Sequence, residues 1–360
     1  MEIREIPLTD IGAGGAAALF DAHAERAKAL IATALRSHPL LPTAAAIADR
    51  LSRRWLERQE NPYLDDIRHV ALKLGRPGAY FLNIVYEWAC STSAAPDPAG
   101  AGARLIRVLD WGLTGIGRHV VIARHDTAVG PFYNATWPGY AGVLTAMAPD
   151  RFAAAINQAP RQTISGPRWI DEVLGRLRLL RQEGTIPAAH LLRRVFEEAR
   201  HYDAALAMLA DERHELAMPA LFTVSGTTAD ESCVIEAIGR ERRVHRAEPA
   251  HGFTIGVAND WLSPDLAGVP RRHAVEWSAT LSPRENNRVR RGAVCALQKG
   301  RFRGIADLAA PVLNSHTVMV ASANAATGEM MVEALDPVPG AGPLPRVVAR
   351  RELTHAAAGA

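Results

Sequence analysis

Cys90 is one of three cysteines in the chain, with Cys233 and Cys295. Three scattered thiols build neither a disulfide framework nor a zinc knuckle, so at least one is free. A lone cysteine is often a small buried hydrophobe, but the setting of Cys90 is special. It stands in Ala89-Cys90-Ser91-Thr92-Ser93, where a helical pattern gives way to strand-like sequence, and a second strand-like run carries Arg107 and Asp110. If the two runs pair, both side chains converge near the thiol, and the guanidinium favours the nucleophilic thiolate. Such a nucleophile needs a base, yet no histidine is close to Cys90 in sequence. The α-amino group of Cys90 itself, with a reference pKa of roughly 7.7 to 8.0, would serve near neutrality. That amine exists only if the chain is cut at Ala89–Cys90, which would make the preceding block a propeptide.

Other motifs carry less. Gly12-Ala13-Gly14-Gly15-Ala16-Ala17 superficially matches a dinucleotide fingerprint but lacks the βαβ setting and the distal acid, and reads as a loop opening a helix. His214-Glu215 begins like a zinc-protease helix, but Met218 stands where the second histidine is required. No cofactor and no metal are expected. Trp169, Trp261 and Trp277 read as core or rim aromatics.

The elements that must position Cys90 follow from periodicity. Residues 14–89 read as helical, with Leu19, Phe20, Leu30, Ile31 and then Ile47, Leu51, Trp55 at helical spacing, and Leu74-Gly75 as a C-cap. Almost no strand signal occurs in the first quarter of the chain. Beyond Cys90, strands are expected at 105–109, 119–123 and 141–147, helices across 167–217, strands at 220–225, 233–238 and 254–258, helices at 271–280 and 285–308, then strands at 317–321 and 330–334. A Pro/Gly-rich loop at 336–345 precedes a last strand. This order fits two packed sheets with helices outside, and not βαβ winding.

Composition agrees. With 360 residues, 48% hydrophobic and 22% charged, the chain can bury a large core. A formal charge of +3 without a run of basic residues argues against nucleic-acid binding. No apolar run is long enough to span a bilayer, and the acidic start at Met1-Glu2-Ile3-Arg4-Glu5 lacks a secretory signal, so the expected location is cytoplasmic.

The segment from Leu82 through Glu87, Trp88, Ala89 and Cys90 to Ser93, followed by Arg107-Val108-Leu109-Asp110-Trp111-Gly112, resembles the nucleophile region of acid ceramidase and N-acylethanolamine acid amidase. These belong with the choloylglycine hydrolases among the N-terminal nucleophile hydrolases. The resemblance continues in order through Thr136-Trp137-Pro138-Gly139-Tyr140-Ala141-Gly142, Val224-Ser225-Gly226, Val257-Ala258-Asn259-Asp260-Trp261 with Arg271-Arg272, and His316-Thr317-Val318-Met319. It implies a four-layer αββα sandwich and self-cleavage into a helical α chain (1–89) and a catalytic β chain (90–360), held together noncovalently.

By the same resemblance Cys90 is the nucleophile, Asp110 orients its freed amine, and Arg107 stabilises the thiolate and positions the scissile carbonyl. Asn259 donates to the oxyanion, and Arg272, or its neighbour Arg271, braces the site. The second oxyanion position reads Asn157-Gln158, where the family places Asn or Glu. The implied activity is hydrolysis of a linear N-acyl amide, of fatty-acyl type, through an acyl-enzyme thioester. The alternatives are transfer of the acyl group to an amine, or an uncleaved, non-catalytic lipid-binding protein using the helical block as its docking face. The expected partners are the small-molecule amide and the chain's own 1–89 segment.

Overall fold

A computed structural model describes residues 2–37, 42–84, 88–163, 175, 178–267, 271–272, 280–340 and 342–354. Val85, Tyr86, Glu87, Trp169, Trp277 and the expected helical stripe of Ile170, Val173, Leu174 and Leu177 lie outside the described residues.

The chain opens with short strands β1 (Arg4–Glu5) and β2 (Leu8–Gly12). Helices α1 (Gly15–Ala22), α2 (Ala24–Ser37), α3 (Pro42–Arg58), α4 (Leu64–Leu74) and α5 (Ala79–Leu82) follow. Next come β3 (Trp88–Pro96), β4 (Ala103–Trp111), β5 (Val121–His125), β6 (Phe132–Thr136), β7 (Thr145–Ala148) and β8 (Phe152–Gln158). The middle of the chain holds β9 (Arg161–Gln162), β10 (Thr185–Ile186), α6 (Ala188–Glu198), α7 (Tyr202–Leu209) and β11 (Glu215–Leu216). Strands β12 (Ala220–Ser225), β13 (Ser232–Ile238), β14 (Glu241–Arg246) and β15 (Ile255–Val257) lead to α8 (Pro264–Ala267), β16 (Arg271–Arg272) and α9 (Pro283–Ala296). Strands β17 (Thr317–Asn324), β18 (Glu329–Asp336) and β19 (Arg346–Thr354) complete the chain.

Two sheets dominate: a seven-stranded one in the order β1-β19-β18-β17-β4-β3-β15 and an eight-stranded one in the order β14-β13-β12-β8-β7-β6-β5-β2. Side-chain alternation shows how they stack. On β3, Thr92 bonds Asn157 of β8 across the inter-sheet space, while Ser93 bonds the Val294 carbonyl of α9 on the opposite face. On the outer face of the eight-stranded sheet, Phe132 and Phe152 pack against Phe196 of α6. The architecture is therefore helix, sheet, sheet, helix, the expected αββα sandwich. Among the described residues no helix is long and apolar enough to cross a membrane.

Local sequence explains several boundaries. Gly75 closes α4 in the left-handed conformation at φ 67°, as expected. Ser282 and Glu285 form a reciprocal capping box at the start of α9, with Pro283 opening the helix. Gly139 takes φ 89°, and a Cβ there would lie 3.0 Å from Val70, so this turn packs its backbone against α4. The loop after β2 opens α1 as expected, and the Asp66 carboxylate already accepts the Ala16 and Ala17 amides that a phosphate would need.

Three expectations are corrected. Residues 4–12 form strands despite carrying almost no strand signal, because both are edge strands completed by distant partners: β1 joins β19 and β2 joins β5, in parallel. Arg271-Arg272 pairs with β9 as a strand and does not start a helix. Of the helix expected at 285–308, α9 covers only the first part; 3₁₀ turns follow at Leu297–Lys299 and Gly304–Asp307.

Candidate active site

Antiparallel pairing of β3 with β4 sets Cys90 opposite Leu109 and Thr92 opposite Arg107. Arg107 therefore reaches back along the strand, and its Nη2 donates to Cys90 Sγ at 3.1 Å. Its Nη1 donates to Asn157 Oδ1 at 2.5 Å and to Thr92 Oγ1 at 3.2 Å. Cys90, Arg107, Asp110 and Asn157 are fully buried, so every charge among them acts with little screening by water.

Asn259, in the loop after β15, spans the backbone around Ala89. Its Oδ1 accepts the Cys90 N–H at 2.7 Å, and its Nδ2 donates to the Trp88 carbonyl at 3.3 Å and to the Gln158 carbonyl at 2.8 Å. One carboxamide thus holds the peptide groups on either side of residue 89. Gln158 completes the frame by accepting the Trp88 N–H on its Oε1 at 2.8 Å. Asn157 is differently placed: besides its two acceptor contacts, its Nδ2 donates to the carbonyls of Val257 and Ala258, at 3.2 and 2.9 Å. It ties the two sheets together beneath the thiol.

Asp110 lies beside the thiol on β4. Its carboxylate accepts from Thr317 Oγ1 at 2.7 Å and Asn314 Nδ2 at 2.9 Å, and Arg290 Nη1 stands 3.8 Å away. Burial raises its pKa to about 6, against the opposing pull of Arg290 and these hydrogen bonds. Burial likewise pushes the Cys90 thiol up to about 11, outweighing the attraction of Arg107. Burial thus favours the protonated thiol over the thiolate.

Arg290 is the residue that sequence reasoning missed. It projects from α9, only 4% exposed, and donates to the Cys90 carbonyl at 3.0 Å, to Asn259 Oδ1 at 3.0 Å and to Asn287 Oδ1 at 2.7 Å. Asn287 in turn accepts the Asn259 backbone N–H at 2.8 Å. The signal in the sequence was periodicity: Asn287, Arg290 and Val294 form the buried stripe of α9, two of them polar. Asn314 was also missed, while Thr317 lies in a recognised block but had no assigned role. The backbone of Arg271 and Arg272 lies on β16, and their side chains are outside the described residues.

The remaining cysteines stand elsewhere. Cys233 is buried in β13, and Cys295 sits on α9 against Gly256. Among the described residues no cluster of three or more His, Cys, Asp or Glu side chains is placed to hold a metal. His214-Glu215 runs into β11, so the helical spacing of a zinc motif does not exist there.

An apolar pocket is lined by Phe20, Leu30, Ile31 and Val70 from the helical block, by Trp111, which follows Asp110 on β4, and by Trp137. Trp111 is the strand partner of Trp88, and the rings of Trp88, Trp111 and Trp137 meet edge to face in series, with centroids 5.8 and 5.4 Å apart.

No family model matches the chain, and no curated protein matches it either. Among solved structures it is similar to the Caenorhabditis elegans N-acylethanolamine-hydrolyzing acid amidase ortholog, with 17% identity over 66% of this chain and 93% of that one and a TM-score of 0.46. It is similar to a mutant of the conjugated bile acid hydrolase from Clostridium perfringens, with 10% identity over 74% of this chain and 92% of that one and a TM-score of 0.41. It is also similar to penicillin V acylase from Agrobacterium tumefaciens, with 10% identity, 68% and 83% coverage and a TM-score of 0.36.

Proposed function

We propose that this protein is a self-processing cysteine amidase that hydrolyses a linear N-acyl amide with an apolar acyl chain. The observation that carries the reading is the grip of Asn259 on the backbone of residues 88 to 90, with Arg107 against the Cys90 sulfur. It frames one peptide group beside one buried nucleophile.

In the first reaction Cys90 Sγ attacks the Ala89 carbonyl carbon. The S–C bond forms, the C–N bond to Cys90 breaks, and the thiol proton ends on the departing amine. Water then hydrolyses the thioester, leaving the Ala89 carboxylate, the free thiol and the α-amine of Cys90. Asp110, which lies opposite Ala89 on β4 and whose charge acts on the thiol, takes up and returns the proton, then orients the new ammonium. Arg107 lowers the cost of negative charge on sulfur, and Arg290 holds the Cys90 carbonyl while tempering Asp110.

The substrate reaction repeats this chemistry. The amine of Cys90 acts as base and then as acid to the leaving amine, and the acyl group passes through a thioester to water. Once cleavage releases the backbone of residues 88 and 89, the Asn259 Nδ2 hydrogen that donates to the Trp88 carbonyl turns to the oxyanion, an interaction worth roughly 3 kcal/mol. Gln158 is the better second donor: its buried Nε2 meets no acceptor among the described residues, whereas both ends of Asn157 are engaged. The pocket between the helical block and Trp111 supports an apolar acyl chain, because it offers that chain carbon surface and one of its walls, Trp111, directly follows Asp110 on β4.

Intact mass of the purified protein beside Cys90→Ala tests the first step. The wild type is expected to resolve into pieces 1–89 and 90–360 while the variant stays whole. A panel of fatty-acyl amides, with and without added amines, then reads hydrolysis against acyl transfer. A wild type that stays whole and consumes no amide, yet sediments with liposomes, would replace this reading with the lipid-binding alternative.

A further inference from the structure

Away from the reacting atoms, a buried carboxylate is surrounded by donors, most of them from one loop. Glu236 of β13 is 1% exposed in an otherwise apolar cluster formed by Leu221, Val234, Val257 and Trp261. Its Oε1 accepts the backbone N–H groups of Leu262 and Ser263, the latter at 3.2 Å. Its Oε2 accepts the Ser263 hydroxyl and lies 2.9 Å from His245 Nε2. Burial alone would raise the pKa of this carboxyl, but the hydrogen bonds from His245, Ser263 and the two amides outweigh it and hold the group below the usual carboxylate range.

Ser, His and Glu together suggest a second hydrolytic triad, and the geometry rejects it. The same imidazole nitrogen, Nε2, faces both the Glu236 carboxylate and the Ser263 hydroxyl, the latter at 3.2 Å, whereas a relay needs one ring nitrogen for each. Ser263 is also only 5% exposed, so no substrate reaches it. What the cluster does is fix a loop. Residues 258–263 run from β15 to α8, and Asn259 is the third residue before the first anchored amide. At its start the loop is tied by the Asn259 N–H to Asn287 at 2.8 Å, and at its end by Glu236. Between those two anchors the Trp261 N–H turns back to its neighbour Asp260, at 2.9 Å.

We infer that Glu236 is a positioning residue, which pins the loop at Leu262 and Ser263 and thereby sets the Asn259 carboxamide against the Ala89–Cys90 peptide. The two backbone amides on Oε1 can only donate, so the loop needs an acceptor at this position, whereas the Ser263 hydroxyl and the His245 ring can each donate or accept; methionine, of similar length, offers the amides no comparable acceptor. The catalytic part of this inference rests on the amidase reading, whereas the positional part does not.

The test uses the full chain. In a Cys90→Ala background, where no cleavage can occur, amide hydrogen exchange at position 90 reports the bond to Asn259 Oδ1. Adding Glu236→Met, which removes the acceptor for both loop amides, is expected to speed that exchange by roughly tenfold, with exchange along β17 and β18 unchanged. In the otherwise wild-type chain, Glu236→Met is expected to slow self-cleavage and lower kcat on an N-acyl amide by up to about 100-fold, with KM little changed. Ser263→Ala, which leaves the carboxylate and both amides in place, is expected to behave much more like wild type. A folded Glu236→Met protein with a lower melting temperature but unchanged exchange at position 90 and unchanged kcat would overturn the inference, leaving Glu236 a purely structural role. If that variant does not fold, Glu236→Asp keeps the charge but retracts it by one methylene, and the same unchanged values there would overturn it. A wild type that cleaves neither itself nor any amide would overturn the amidase reading, and the exchange experiment would still decide the positional part.

Discussion

At the residue scale, the site is governed by burial. Asp110, raised to about 6, and Cys90, raised to about 11, are both pushed toward their neutral forms, and nearby guanidinium groups oppose that push. The self-cleavage rate should therefore rise as pH increases through about 6, where Asp110 loses its proton, and should fall below it. Removing Arg290 removes a cation that favours the charged carboxylate, so Arg290→Met should move this inflection to higher pH. Rates followed by mass spectrometry from about pH 4 to pH 8 check both statements. Asn259→Ala should slow self-cleavage by about 10²- to 10³-fold while the protein remains folded by circular dichroism. Cys90, Arg107 and Asp110 were singled out in the sequence by residue type and setting, and Asn259 through the family resemblance alone. Arg290 was not, because it is one of four arginines between 284 and 291, and only its place on the buried stripe of α9 separates it from the others.

At the element scale, α6 carries the polar contact that binds the helical block. Arg193 Nη1 donates to Asp66 at 3.0 Å, its Nε donates to Glu197 at 2.8 Å, and its guanidinium lies 3.9 Å from the Tyr63 ring centroid. Asp66 accepts the first amides of α1, so one carboxylate joins α1, α4 and α6. Losing the guanidinium strands a largely buried carboxylate. Arg193→Ala should thus destabilise the protein by about 3–5 kcal/mol, read by urea unfolding, and Arg193→Lys should recover only part, lacking the planar fork. Helices with a clear apolar stripe, such as α4, and the left-handed stop at Gly75 were legible because their causes are local. Strand β8 was not, since Phe152-Ala153-Ala154-Ala155-Ile156 has little β propensity and is extended because every residue is buried between neighbours.

At the scale of the whole molecule, the first dozen residues join both sheets. β1 extends the edge at β19 and β2 extends the edge at β5, so the segment before Cys90 completes two hydrogen-bonded edges as well as the apolar pocket. After cleavage the two pieces should co-elute on size exclusion and separate only in denaturant. Deleting residues 2–12 should leave β5 and β19 unprotected and produce aggregates in light scattering.

Although the helical reading of 14–89 ran into β3 at Trp88 and Ala89, the sequence by itself pointed to which groups could react and to strands and helices alternating in a pattern suited to two packed sheets. These follow from side-chain chemistry, turn residues and periodicity, all of which are written within a few positions. Only the tertiary structure decided that Arg290, Asn314 and Thr317 meet Asp110, that Asn259 grips the backbone beside Cys90, and that Glu236 holds the loop behind it. Those outcomes depend on which distant strands pair and on how completely water is excluded, and burial of that kind is a property of the assembled core.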